Sequence, residues 1–249
     1  MQPRSKANYG IDAPGVVRNL ALGAAASFLL GRSLYPVLRP RHSSLAAALL
    51  TIGFSNGILC LLVATAMVLN SKVGKLRERE RLLDSIPWQG HEAVLDVGCG
   101  RGLLLIGAAK RLTSGRAVGV DIWRTEEESG NTPEATLQNA RAEGVEERVE
   151  IKDGDARALP FGEDAFDVVL SSLVLHNIPN KTGRTEALKV MVRVLKPGGL
   201  LAIVDIARTG EYEKVLREAG MGEVVRSGAH FRIFPGVREV RGRKAGLAG

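Results

Sequence analysis

An acid two residues ahead of three alternating glycines is the first arrangement in this sequence with chemical potential: Val94-Leu95-Asp96-Val97-Gly98-Cys99-Gly100-Arg101-Gly102. Glycine permits backbone conformations and a close ligand approach that a Cβ blocks. The spacing of Gly98, Gly100 and Gly102 is G-x-G-x-G, not the G-x-G-x-x-G of pyrophosphate binders. A carboxylate at Asp96 would repel a pyrophosphate and suits a ligand carrying an ammonium group. Asp121 closes Val118-Gly119-Val120-Asp121, 25 residues beyond Asp96. That is close to the spacing at which a strand-end acid accepts from ribose hydroxyls. The adjacent Ile122 offers an apolar face to an adenine ring. The other reading of Asp121 is a cap on the next helix. Asp155, in Asp153-Gly154-Asp155-Ala156, is placed to accept from an adenine amino group, although Asp-Gly-Asp also favours a plain turn.

The best-placed titratable group for proton transfer is His176, in Ser171-Ser172-Leu173-Val174-Leu175-His176. It is read as a base or a substrate-orienting group, against the plainer reading of a pocket-lining or helix-capping histidine. His42, His91 and His230 form no recognisable triad with a nucleophile. Val194-Leu195-Lys196-Pro197-Gly198-Gly199-Leu200 reads as a helix end and turn. The two cysteines, Cys60 and Cys99, make neither a disulfide framework nor a metal-ligand cluster, so no metal is expected and a reducing, cytosol-facing domain fits.

The elements that must position these groups alternate in type. Apolar, β-rich runs at 93–97, 117–122, 149–152, 166–171 and 200–206 are separated by helical patterns at 103–112, 133–143, 184–195 and 211–219. This alternation predicts an α/β fold, a mostly parallel sheet covered on both faces. Two further β-like stretches, 223–227 and 231–240, separated by a short turn, predict an antiparallel edge hairpin and a total of seven strands. Ligands of such sheets bind beyond the carboxyl ends of the strands, where the residues above lie.

Taken in order, these segments resemble the class I S-adenosylmethionine-dependent methyltransferases, with their Rossmann-like fold. The resemblance covers residues 90–208 closely and the later strands more loosely. Residues 155–161 and 194–199 are similar to the small-molecule branch that includes quinone-biosynthesis methyltransferases. The resemblance implies S-adenosylmethionine as cofactor. It implies that Asp96, Gly98, Gly100 and Gly102, with Cys99 in the same loop, contact its methionine portion. Asp121 would hold the ribose, with Ile122 beside the adenine that Asp155 and Ala156 read. Ser171 and Ser172 would border the methyl group.

The N-terminal third has a different character. Residues 43–70 carry no charge over 28 positions, where about 20 suffice to cross a bilayer. Residues 16–38 form a second apolar run, in which Arg18 and Arg32 bracket only 13 uncharged residues. One or two transmembrane helices are therefore expected within residues 1–71, at about 16–38 and 44–70. A basic juxtamembrane helix is expected within 72–89, either on anionic headgroups or solvated, and the methyltransferase domain at 90–249. The chain's formal charge is +7, but residues 1–81 hold 11 Lys/Arg against 3 Asp/Glu, and the remainder 23 against 24. The excess flanks the apolar runs, which argues against a nucleic-acid groove. By the positive-inside rule it places the catalytic domain on the cytoplasmic side of an integral membrane protein. The acceptor is expected to be small and apolar or membrane-associated, such as a lipid or quinone. A soluble metabolite, a membrane protein, a cofactor-binding scaffold and, against the glycine spacing, a nicotinamide oxidoreductase are the other readings.

Overall fold

The computed structural model describes residues 6–233 and 236–246. Arg4, counted above among the N-terminal charges, and part of the 231–240 stretch lie outside the described residues.

Two long helices open the chain, α1 (Pro14–Leu38) and α2 (Ser43–Leu69). Both are long and apolar enough to cross a membrane. α1 runs unbroken through Arg18 and Arg32. Small residues set the seam between the two. A β-carbon on Gly53 would come 2.7 Å from the Ser27 carbonyl oxygen, and one on Gly57 would meet the Phe28 ring. Asn56 Nδ2 donates to Ser27 Oγ at 2.7 Å, and the Phe28 and Phe54 rings meet edge to face. Gly31 lies against Leu49 and Leu50 while Ser27, one turn earlier, meets Asn56, so the contacts run in opposite directions and α1 and α2 form an antiparallel hairpin. Leu22, Leu29, Ile52, Leu59 and Leu62 point away from it and are more than half exposed. Close backbone approach through small residues is how helices associate where no hydrophobic effect draws them together.

The basic stretch after α2 departs from the solvated expectation. α2 continues through a π-helical turn, Asn70–Gly74, into α3 (Lys75–Asp84). α3 does not float in solvent: one face is buried on the domain, with Arg77 and Asp84 left exposed. Leu82 and Leu83 are fully buried, and Lys75, Glu78 and Arg79 nearly so. α3 packs on α4 (Leu103–Ala109), where a β-carbon at Gly107 would meet Leu83 and Arg79. Burying two leucines contributes roughly 3–6 kcal/mol, against about 1 kcal/mol for a Lys or Arg at an anionic surface. The burial of Leu82 and Leu83 thus holds α3 on the domain.

The rest of the chain is one seven-stranded sheet. Its strands are β1 (Ala93–Val97), β2 (Arg116–Asp121), β3 (Val149–Asp153), β4 (Phe166–Ser172), β5 (Leu195–Asp205), β6 (Met221–Arg226) and β7 (Arg238–Lys244). The order is β3-β2-β1-β4-β5-β7-β6. β1 to β5 pair in parallel, and β7 is antiparallel to both its neighbours. The central strands are buried on both faces, which is why they read as near-continuous apolar runs. One face packs on α3 and α4 through Leu82, Leu105 and Ile106. The other packs on α6 (Lys181–Val194) and α7 (Thr209–Glu218) through Leu188, Met191 and Leu216. α5 (Pro133–Glu143) carries its stop and start signals in sequence: Thr132 Oγ1 accepts from Ala135 N–H, Pro133 opens the helix, and Gly144 closes it in the left-handed conformation.

The edge pair forms later in the chain than expected. Its second strand is 238–244, not 231–240, and the described residues 227–233 and 236–237 belong to a connection longer than a short turn. The apolar residues of that connection serve packing instead of the ladder: Ile233 and Val237 are buried in the core. β7 itself is rich in arginine because one face of an antiparallel strand can remain wet.

Candidate active site

β1 and β4 are neighbours whose connections leave in opposite directions, which makes their carboxyl ends the switch point of the sheet. A cavity of about 480 Å³ opens there. Its wall includes Asp96, Gly98, Cys99 and Gly100 from the β1 loop, and Asp121 and Ile122 after β2. Asp155 and Ala156 after β3, and Ser172 and His176 after β4, complete the expected set on the wall.

The glycine loop is shaped by steric need. Gly98 and Gly100 have φ of +74° and +50°, and a β-carbon at Gly98 would collide with Val174. Asp96 is 2 % exposed and accepts from the Leu105 N–H at 2.8 Å. Burial, reinforced by Asp121 and Glu128, pushes its carboxyl up to about 7. Asp121 Oδ2 accepts from Gly100 N–H at 2.8 Å, and Oδ1 from Trp123 N–H at 2.6 Å and from Asn131 Nδ2 at 3.3 Å. The capping alternative for Asp121 is thus present in part, as a turn and not a helix cap. A carboxylate offers about four lone-pair sites, so capacity remains for a ligand hydroxyl. Asp155 likewise keeps its turn role: Arg157 donates to it through its backbone N–H and its guanidinium, holding the carboxyl below its ordinary range.

Three expected residues are placed differently. Ser171 is fully buried, off the wall, and its Oγ donates to the Val97 carbonyl, tying β4 to β1. Gly102 caps α4 with φ +86° and is also off the wall, because Ile106 and Thr136 close over it. Cys99 reaches the wall, but its sulfur packs beneath Gly119 and burial pushes the thiol well up.

His176 is backed by Asp205, at the end of β5. His176 Nδ1 lies 2.6 Å from Asp205 Oδ1, a close contact off the line of a hydrogen bond. His176 N–H and Tyr212 O–H both donate to Asp205 Oδ2 at 3.1 Å. The Asp205 side chain is fully buried. Its position as one more acid ending a strand was the signal by which sequence could have found it.

Two further groups on the wall had no local signal. The segment 8–13, ahead of α1, lies across the glycine loop: Arg101 Nε donates to the Asn8 carbonyl, and Ala13 N–H to the Glu127 carbonyl. Lys75, 3 % exposed, reaches Asp12 Oδ1 and Glu128 Oε1, each at 2.9 Å. Glu128 Oε2 accepts from the Arg101 N–H beside the glycine loop. Among the described residues no group of three His, Cys, Asp or Glu is placed to hold a metal ion.

The residues present fit a cationic cofactor. Asp96 is buried with carboxylates and without a cation beside it. Asn131 Oδ1 is a buried acceptor on the same wall without a donor. An ammonium and a sulfonium would offset the first, and a ligand donor the second.

Residues 95–203 match the family described as "Methyltransferase domain". The chain is 32% identical over 175 residues to the methyltransferase GfsG of Streptomyces halstedii, covering 69% of this chain and 58% of the relative. It is 25% identical over 167 residues to the demethylmenaquinone methyltransferase of Lactobacillus johnsonii, covering 66% and 60%. The chain thus spans about 60% of the length of these curated relatives. In fold it is similar to a SAM-dependent methyltransferase from Aquifex aeolicus, with a TM-score of 0.53 and 18% identity over 68% of this chain and 90% of that one. Fold, glycine loop and family match define a class I S-adenosylmethionine-dependent methyltransferase domain, and S-adenosylmethionine is its cofactor.

Proposed function

We propose that the chain transfers a methyl group to a small, apolar, membrane-associated acceptor, a lipid or quinone-like molecule, at the cytosolic membrane face. The observation that carries this reading is the composition of one wall. The cavity bearing Asp96 and Asp121 is also bounded by Met67, Asn70 and Ser71, where the apolar helix α2 ends. An acceptor held in the bilayer meets the site at raised local concentration. The demethylmenaquinone relative adds weight to a quinone-like acceptor.

S-adenosylmethionine supplies a methyl group on a sulfonium, already a good leaving group. When bound, its ammonium would be compensated by Asp96, its ribose held by Asp121, and its adenine received by the wall near Asp155 and Ala156. The chain's remaining task is to align the nucleophile and exclude water. For an acceptor O–H, His176 takes the proton at its Nε2 while Asp205 holds the ring from the Nδ1 side and stabilises the imidazolium.

The topology proposed is two spans. Ala13, at the start of α1, bonds Glu127 of the sheet domain, and α2 runs on through the π-helical turn into α3, which packs on α4. Both ends of the hairpin thus meet one domain, which supports an even number of crossings. Arg39 and Arg41 lie in the loop at the far end.

The reading is tested with full-length protein in vesicles, a methyl-labelled donor, and total lipids, membrane proteins and soluble metabolites offered separately. Label in the lipid fraction is expected. Label confined to either other fraction overturns the acceptor class. No label anywhere, with donor binding intact, points to a scaffold.

A further inference from the structure

The acceptor's route can be read from the apolar part of the cavity wall. Met67 in the last turn of α2, Leu173 after β4, Ile206 after β5 and Ile233 from the β6–β7 connection all lie on it. Leu173 and Ile206 pack against the core cluster that contains Ile233. The β6–β7 connection is in turn seated against the helix end: a β-carbon at Gly74 would meet the Arg232 carbonyl oxygen at 2.5 Å. Two residues before Ile233, Phe231 is 75% exposed. On the helix, Leu62, Leu69 and Val73 are exposed as well. An apolar strip therefore continues down the outside of α2 to its junction with the connection. A second apolar surface begins just inside that junction.

The volume decides how much of an acceptor lies within. About 480 Å³ is in the lower half of the range for one small-ligand site, roughly 300–1,000 Å³. The cavity must hold the cofactor and the reacting end of the acceptor together, which leaves no space for a long tail. Withdrawing such a tail from hydrocarbon into water is unfavourable in proportion to its length.

Resting on the membrane reading above, we propose that the acceptor is a long-tailed amphiphile that enters sideways from the bilayer, between the last turn of α2 and the β6–β7 connection. Its hydroxyl-bearing head reaches His176. Its tail passes Met67 and Ile233 and stays in the membrane. Met67 and Ile233 then determine which head can enter, and the membrane hairpin supplies part of the acceptor site as well as an anchor.

The test uses full-length protein in phosphatidylcholine vesicles and a long-chain hydroquinone carrying a diazirine in its tail beside the ring. After photolysis, adducts are expected on the segments holding Met67 and Ile233. Ile233→Trp and, separately, Met67→Trp should each lower both adduct yield and labelled methyl transfer about tenfold, as overfilling a packed site does. Binding of S-adenosylhomocysteine should stay within about twofold of the parent, since neither side chain belongs to the cofactor motifs. Adducts confined to outward residues of α1 such as Leu22 and Leu29 overturn the route, as do two tryptophan variants of unchanged activity. Labelled lipid without cavity adducts overturns the route alone. Label only in soluble metabolites overturns the membrane-acceptor reading beneath it.

Discussion

Asp205 accepts from both the His176 backbone N–H and the Tyr212 hydroxyl while lying 2.6 Å from His176 Nδ1, so one buried carboxylate fixes the only histidine on the cavity wall among the described residues. Burial pushes the Tyr212 phenol up, which keeps it a donor to that carboxylate. If His176 is the base, His176→Ala should lower kcat by about 10²–10⁴-fold, the usual contribution of a positioned base. Asp205→Asn should lower kcat less, by removing the charge that supports the imidazolium. Calorimetric binding of S-adenosylhomocysteine to both variants should match the parent. An unchanged kcat for His176→Ala would leave the histidine a lining residue.

If Asp96 holds the cofactor's ammonium, cofactor binding should depend on pH. In the unfolded chain its carboxyl ionises near pH 4, and in the fold near 7. The stability associated with its neutral form is complete below about pH 4 and is lost as pH rises through 7. A ligand ammonium favours the ionised form. Affinity for S-adenosylhomocysteine should therefore rise between pH 5.5 and 7, by up to about tenfold per pH unit, with proton release on binding. Asp96→Asn should flatten this slope. A slope that survives the substitution assigns the titration to another group.

The cluster around Lys75 should matter for folding. Its ammonium is buried between Asp12 and Glu128, so Lys75→Met leaves two carboxylates together in a poorly solvated place. A loss of about 3–5 kcal/mol is expected in denaturant titration. Adding Glu128→Gln should restore part of it. Simple additivity of the two substitutions would mean that the pair is not coupled.

Two crossings can be separated from one by side-specific labelling. In a Cys60→Ala background, cysteines replacing Lys6 and Arg77 should react with an impermeant maleimide from the same side of sealed vesicles, and one replacing Arg41 from the other side. Reaction of the Lys6 and Arg77 positions from opposite sides would contradict the proposed hairpin.

The strands and their acids were legible in the sequence because their signals are local. Val94–Asp96, Val118–Asp121 and Phe166–Leu170 are buried on two faces and show it as apolar runs, and each ends beside a turn-forming or polar residue. Gly53, Asn56 and Gly57 read only as slight flaws in an apolar run, since their role depends on Ser27 and Phe28 in the other helix. Lys75 and Arg79 looked like a wet basic face for the same reason: their partners, Asp12, Glu128 and Tyr9, are 53 residues or more away in sequence. The β6–β7 connection was misplaced because Ile233 and Val237 spend their apolar character on the core and not on a ladder.

The π-helical turn between α2 and α3 sets a rotational phase. An α-helix advances about 100° per residue, and a π-turn is in effect one inserted residue. Asn70–Gly74 thereby decouples the face that α2 shows to its surroundings from the face that α3 buries on the domain. Removing one residue there would swing Leu82 and Leu83 about a quarter-turn off α4, with every side chain of both helices still in place. The chain's geometry is in this sense indexed: the length of one turn sets how the glycine loop is held relative to the α1–α2 hairpin.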